Sequence, residues 1–175
     1  MSEKWFISDT HFSHRGILTY EKANRPFESL EEHDEVLVSN WNSVVKPDDK
    51  VYHLGDFCMN RTALKFAKRL LGRKILIMGN HDTFRTEEYL EAGFERVHGV
   101  LQYDNLILSH IPVHTQQLEH RFWANVHGHL HSKRINDWRY LNVGVEHTAL
   151  KPITLEEVYS RLVEQQSKSG ERYEG

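Results

Sequence analysis

The chain has 175 residues, 39% apolar and 27% charged, with a formal net charge of −3 at pH 7. That length and balance describe one ordinary globular domain with a sizeable core. The negative charge excludes recruitment of nucleic acid or an anionic membrane by the surface as a whole, leaving only a local basic cleft open.

Cys58 is the only cysteine, so no internal disulfide can form, which fits a reducing compartment. Met1 to Lys4 runs straight into an apolar segment and lacks the pattern of a signal peptide. No stretch approaches the roughly 18 apolar residues that span a bilayer. A cytoplasmic protein is expected.

Taken in order, Lys4 to Ser8 reads as a short apolar strand, followed by a long polar-aromatic loop from Asp9 to Pro26. Ser29 and Glu32 resemble a capping box, and Val36, Leu37, Asn40, Trp41 and Val44 follow at helical spacing. Lys50 to Leu54 is a second strand. Asn60 or Thr62 opens a second helix carrying Leu64, Phe66, Ala67, Leu70 and Leu71, and Gly72 stops it. Lys74 to Met78 is a third strand, and Thr86 to Glu91 a short helix with Gly93 as its C-cap. Beyond this point strands dominate: Val97 to Tyr103 and Leu106 to Ser109 around an Asp104-Asn105 turn, then Trp123 to His127 and Arg139 to Val143. Thr154 opens a last amphipathic helix with Leu155, Val158, Tyr159 and Leu162 on one side, and about residues 166–175 are expected to fray. The first half predicts a parallel sheet with right-handed crossovers, and the second half a mixed sheet packed on it, all within a single domain 1–175.

Apolar strands end repeatedly in metal-binding residue types: Asp9-Thr10-His11, Gly55-Asp56, Gly79-Asn80-His81-Asp82, Ser109-His110 and Gly128-His129-Leu130-His131. Ligands collect at the carboxyl ends of parallel strands. Imidazole, carboxylate and amide donors without a thiolate suit a pair of divalent ions, drawn from manganese, iron, nickel, cobalt or zinc. A bridging ligand should be a carboxylate, and Asp56 is the natural candidate. Asp9 and His11 would complete one ion with a histidine from the last cluster, and Asn80, His110 and a second such histidine the other. His81 stands beside a ligand, free to protonate a leaving oxygen or hold phosphate charge, with Asp82 to orient its ring.

These motifs, in this order, resemble the calcineurin-like metallophosphoesterase superfamily. The resemblance implies an α/β fold, an αββα sandwich of two mixed β-sheets flanked by helices, around a two-metal centre. Carried over motif by motif, it implies Asp9, His11 and His131 on one metal and Asn80, His110 and His129 on the other, with Asp56 shared. His81 becomes general acid or phosphate contact, paired with Asp82. The phosphoprotein phosphatases of the superfamily extend the second motif to G-D-x-x-D-R-G. Here Asp56 is followed by Phe57-Cys58-Met59-Asn60-Arg61, which argues against a phosphoprotein substrate. The opening through His14, with Asn24-Arg25-Pro26-Phe27 after it, looks like a group of compact bacterial and phage phosphoesterases.

Further residues are weighed individually. His14 is a candidate for substrate contact or proton transfer, against a loop histidine bonded to backbone. Arg25 is a candidate phosphate contact, against a structural ion pair. Arg15, Arg61 and Arg85 read as solvated. His127 reads as supporting a ligand, Cys58 as packing, and Trp123 and Trp138 as packing, with stacking on a nucleobase the minority reading.

The expected activity is hydrolysis of a small, nucleotide-like phosphodiester or monoester by in-line attack of metal-bound hydroxide, with the diester favoured because no cap domain is evident. A nuclease is the alternative, although short length and negative charge argue against an extended nucleic-acid track. A protein-binding scaffold is the third reading, disfavoured because no ligand position is lost.

Overall fold

The computed structural model describes residues 2–170. In chain order its elements are β1 (Lys4–Ile7), α1 (Ile17–Tyr20), α2 (Leu30–Val44), β2 (Lys50–His53), a 3-10 helix (Arg61–Lys68), β3 (Arg73–Ile77), α3 (Thr86–Ala92) and β4 (Phe94–His98). There follow β5 (Val100–Tyr103), β6 (Leu106–Ser109), a 3-10 turn (Thr115–Leu118), β7 (Ala124–His127), β8 (Tyr140–Asn142), β9 (Ile153–Thr154) and α4 (Leu155–Ser169).

The architecture is α/β, two mixed sheets flanked by helices. The first sheet runs β4-β3-β2-β1-β9, parallel except for β9. The second runs β5-β6-β7-β8, with only the β5–β6 pair antiparallel. Alternation along each strand divides its side chains between two cores. Ile7, Val51 and Leu76 face α2, α3 and the 3-10 helix, where Leu37, Trp41, Ala63, Phe66 and Tyr89 pack. Phe6, Tyr52, Ile75 and Ile77 face the second sheet, meeting Leu106, Leu108, Ala124 and Val126. Val158 and Leu162, one turn apart on α4, fill the same inter-sheet space. The outer face of the second sheet is covered more thinly, by Leu118 and Phe122 over Ile107 and Tyr140.

The helix starts follow their caps. Ser29 Oγ accepts the Glu32 N–H at 3.0 Å and Thr154 Oγ1 the Glu157 N–H at 3.1 Å. The reciprocal half of the Ser29 box is displaced by one residue, because Glu32 accepts from Glu28 N.

Four expectations are corrected. The Asp9–Pro26 loop contains a turn of helix, α1. Arg61–Lys68 is 3-10 rather than α: eight residues at about 2 Å each run ~16 Å, the return length for a five-residue strand such as β3. The strand read as Val97 to Tyr103 is split at Gly99, since β4 completes the first sheet and β5 begins the second. The last helix extends past residue 166: Gln165 Nε2 donates to the carbonyls of Trp138 and Tyr140, and α4 continues to Ser169. Residues 171–175 of the expected tail lie outside the described residues. Among the described residues, no helix is long and apolar enough to cross a membrane.

Candidate metal centre

The carboxyl ends of β1, β2, β3, β6 and β7 converge, and each delivers one of the motifs. Backbone pairing extends past the strands and locks the loops together. Ser8 bridges to Gly144, with its N–H on the Val143 carbonyl at 3.0 Å, and Phe12 bridges to Cys58. Asp9 N donates to Gly55 O, and His11 N to Asp56 O, both at 3.0 Å.

The turns are tight enough to force unusual backbone. Asp9, His11, Ser13, Asp56, His129 and His131 all have positive φ, between 49° and 69°. Each such non-glycine residue costs on the order of 1–3 kcal/mol, and their concentration at one site points to a function that requires the geometry. Two glycines are required by close approach. A Cβ on Gly79 would collide with the Asp56 carboxylate, and one on Gly128 with Ser8 Oγ and the Asp9 carboxylate.

The side chains then face one another. His11 Nε2 lies 3.5 Å from Asp56 Oδ2 and 3.8 Å from Asp9 Oδ1. His110 Nε2 lies 3.3 Å from the same Asp56 oxygen and 3.0 Å from Asn80 Oδ1. His129 Nδ1 is 2.9 Å from Asn80 Oδ1. Donor atoms about 2.0–2.2 Å from a shared ion stand roughly 3–3.5 Å apart, and most of these separations are of that size. Ligand atoms of Asp9, His11 and His131 lie within 4.8 Å of one another, as do those of Asp9, Asp56 and His110. His11 Nε2 is buried with no hydrogen-bond partner, an orphan that a cation would satisfy.

Two ring tautomers are set by acceptors behind them. His110 Nδ1 donates to Leu54 O at 2.7 Å, and His131 Nδ1 to Glu146 Oε1 at 3.2 Å. Each leaves Nε2 with its lone pair free for a metal. Burial pushes the Asp9 carboxyl up, but His11 and His110 outweigh it and hold Asp9 well below the usual carboxylate range. Asp56 is likewise held down by His110 against its own burial. Both carboxylates stay ionised, as ligands must.

Around this set, His81 sits at the mouth, its side chain 41% exposed and its Nε2 4.0 Å from Asp56 Oδ2. His14 joins it, with Nδ1 3.2 Å from His11 Nδ1 and its ring 6.2 Å from that of His81. Burial and the neighbouring His11 bring His14 down to about 4, so it is neutral at pH 7. Cys58 is buried, and its thiol is pushed up to about 12.

Two expectations change. Asp82 does not orient His81: its carboxylate is buried and accepts the N–H groups of Asp56 (2.7 Å), Gly79 (2.8 Å) and Phe57 (3.1 Å). It fastens two motif loops together. Arg25 is not a substrate contact: it is fully buried, and its guanidinium is spent on Glu146, His33 and the carbonyls of Asp9 and Thr10. Trp123 and Trp138 lie at the amino ends of β7 and β8, away from the ligands, with Trp123 stacked on Tyr159. They are packing residues. His127 is buried behind the last motif, donating from Nδ1 to Gly128 O.

Sequence reasoning misses Glu146. Its signal is present in the chain: Val143-Gly144-Val145 after β8 is one more apolar run ending in a carboxylate.

An uncharacterized protein of Methanocaldococcus jannaschii is 34% identical over 169 residues, covering 89% of each chain. The Gene 66 protein of Mycobacterium phage L5 is 30% identical, over 83% of this chain and 87% of its own. A protein of unknown function from Aquifex aeolicus has a solved structure that superposes with a TM-score of 0.72, at 29% identity over 91% of this chain and 99% of that one. The family model for calcineurin-like phosphoesterases matches residues 4–169. With the strand-end donors gathered as that family's metal-dependent chemistry requires, the chain belongs to the calcineurin-like phosphoesterases and is a metal-dependent hydrolase of phosphoesters.

Proposed function

We propose that this phosphoesterase works with two divalent ions on a small, nucleotide-like phosphodiester. The observation that carries the reading is the position of Asp56. Its Oδ2 stands between His11 Nε2, at 3.5 Å, and His110 Nε2, at 3.3 Å. One carboxylate facing two separate imidazole groups is the arrangement of a bridging ligand. Asp9, His11 and His131 would hold one ion, and Asn80, His110 and His129 the other. When bound, such a pair neutralises phosphoryl charge and supplies hydroxide at neutral pH.

The remaining steps belong to the chain. His81, exposed at the rim, protonates the departing ester oxygen. Its backbone N–H donates to Asp56 Oδ1 at 2.9 Å, which fixes the turn that presents the ring. His14, neutral and against His11 and His81, contacts the substrate or passes the proton onward. Asn80 and His81 are exposed at the rim, which suits an ester substituent extending toward solvent; the diester preference remains the sequence-based reading.

The test is hydrolysis by chelator-stripped protein with manganese, iron, nickel, cobalt or zinc restored in turn. Substrates are bis-p-nitrophenyl phosphate, p-nitrophenyl phosphate and 2′,3′-cyclic nucleotides. The expected result is metal-restored diester hydrolysis that Asp56→Asn abolishes. Strong preference for the monoester overturns the diester reading. Steeply salt-dependent turnover of oligonucleotides, with none of cyclic nucleotides, replaces the small substrate with nucleic acid.

A further inference from the structure

Beneath the metal centre lies a buried polar cluster of which only the Glu146–His131 contact enters the chemistry above. Arg25 and Glu146 form an ion pair at 2.6 Å with both side chains at 0% exposure. Such a pair is costly to bury unless every donor is used. Here every one is. A guanidinium has five N–H groups. Nε donates to Glu146 Oε1 at 2.9 Å; Nη2 donates to Glu146 Oε1 and to Asp9 O, each at 2.6 Å. Nη1 donates to Thr10 O at 3.2 Å and to His33 Nε2 at 3.1 Å. His33 in turn uses Nδ1 on Asp34 Oδ1 at 2.9 Å, and Asp34 accepts Ser13 N at 3.0 Å.

The targets of this cluster are selective. Arg25 clamps the two carbonyls of the strained turn carrying Asp9 (φ 58°) and His11 (φ 50°). Glu146 Oε1 receives His131 Nδ1 and so turns Nε2 of that ring toward the other two. The same ion pair therefore sets Asp9, His11 and His131. The opposite group has separate supports: His110 rests on Leu54 O, and Asn80 joins His110 to His129. The groups meet at Asp56, whose Oδ2 faces both His11 and His110, and through the His129 N–H on the Asp9 carboxylate.

We propose that Arg25 and Glu146 are positioning residues that assemble the Asp9/His11/His131 half of the centre, so that their loss falls chiefly on the ion held there. The proposal rests on the two-ion reading above. Arginine is required because lysine lacks the planar fork that reaches Glu146, two carbonyls and His33 together. Glu146 acts on metal affinity through a histidine, an outer-partner effect worth about 10–100-fold.

The experiment is equilibrium titration of metal-free protein with Co²⁺, competed against a chromophoric chelator, with thermal melting as the check on folding. The proteins are the wild type, Arg25→Lys, Glu146→Ala, Glu146→Gln and, for the opposite half, His110→Ala. The wild type takes two equivalents. Glu146→Ala and Arg25→Lys each weaken one equivalent about 10–100-fold and leave the other within a few-fold. Glu146→Gln, which keeps an acceptor for His131, recovers part of the loss. In ¹⁵N spectra of the metal-free protein, Glu146→Ala removes the single Nδ1–H tautomer of His131. His110→Ala weakens the equivalent that the other variants spare.

Equal weakening of both equivalents, or no change in either by folded Glu146→Ala, overturns the proposal. If Arg25→Lys fails to fold, the two Glu146 variants decide. If the wild type takes a single equivalent, the two-ion reading falls. The positioning role is then judged on that equivalent: weakening by Glu146→Ala upholds it and unchanged affinity overturns it.

Discussion

Asp82 Oδ2 accepts the Asp56 N–H at 2.7 Å across 26 residues of sequence. Its carboxylate also takes Gly79 N and Phe57 N, so three donors converge on two oxygens. An asparagine side chain at this position would offer one acceptor and turn an NH₂ toward an N–H. Asp82→Asn is expected to cost about 1–3 kcal/mol of stability and at least tenfold in turnover, because the Asp56 loop shifts. Denaturant unfolding and steady-state kinetics measure both. His81→Ala should differ in kind: turnover falls about 10²–10⁴-fold while stability changes by no more than about 0.5 kcal/mol. Wild-type stability in Asp82→Asn would return that residue to the role of orienting His81.

His53 supplies a pH prediction. It is fully buried, stacked on Trp41 and edge-on to Phe57, with Nε2 3.0 Å from Thr10 Oγ1. Burial takes its imidazole down to about 3, whereas an unfolded histidine titrates near 6.5. Below 6.5 the unfolded chain binds a proton that the folded one refuses, so stability present above 6.5 is lost as pH falls toward 3. Between pH 7 and pH 5 the loss is about 2 kcal/mol, at ~1.36 kcal/mol per pH step below 6.5. His53→Phe should lose less stability than the wild type by that amount, read by urea unfolding at both pH values. Identical slopes would show that His53 does not govern this window.

Gly128 is held to glycine by contact rather than by φ. Gly128→Ala drives a methyl group into Ser8 Oγ and the Asp9 carboxylate. About 1–3 kcal/mol of destabilisation is expected, with turnover reduced far more than melting temperature, since Asp9 is the group that yields. A fully active Gly128→Ala enzyme would mean that the last motif packs further from β1 than that contact requires.

Cys58 is expected to be inert. Its thiol is 1% exposed and pushed up to about 12 by burial. Labelling by a thiol-specific disulfide reagent should proceed only at the unfolding rate, and denaturant should accelerate it. Fast labelling of native protein would place the thiol at the surface.

The candidate ligands are legible in the sequence because chemistry restricts them: histidine, aspartate and asparagine at the ends of apolar runs leave few other meanings. The sheet layout follows from the alternation of elements. Asp82 misleads because adjacency in sequence is not adjacency in a tight turn. Asp82 N closes on Gly79 O at 3.2 Å, and that fold carries the carboxylate back beneath the loops while His81 turns outward. Arg25 carries no periodic signature, so phosphate contact and buried pair look alike until burial separates them. His33 and Asp34 sit on α2 among residues that read as a helix face, and only the packed helix brings them under the site.

The meeting of Asp9 with the His129 N–H spans 120 residues. A growing chain presents Asp9, His11 and Asp56 long before His129 and His131 leave the ribosome. β1 and β2 can pair early and hold Asp9, His11 and Asp56 together, but Asp9 meets its His129 donor only when the second sheet is in place.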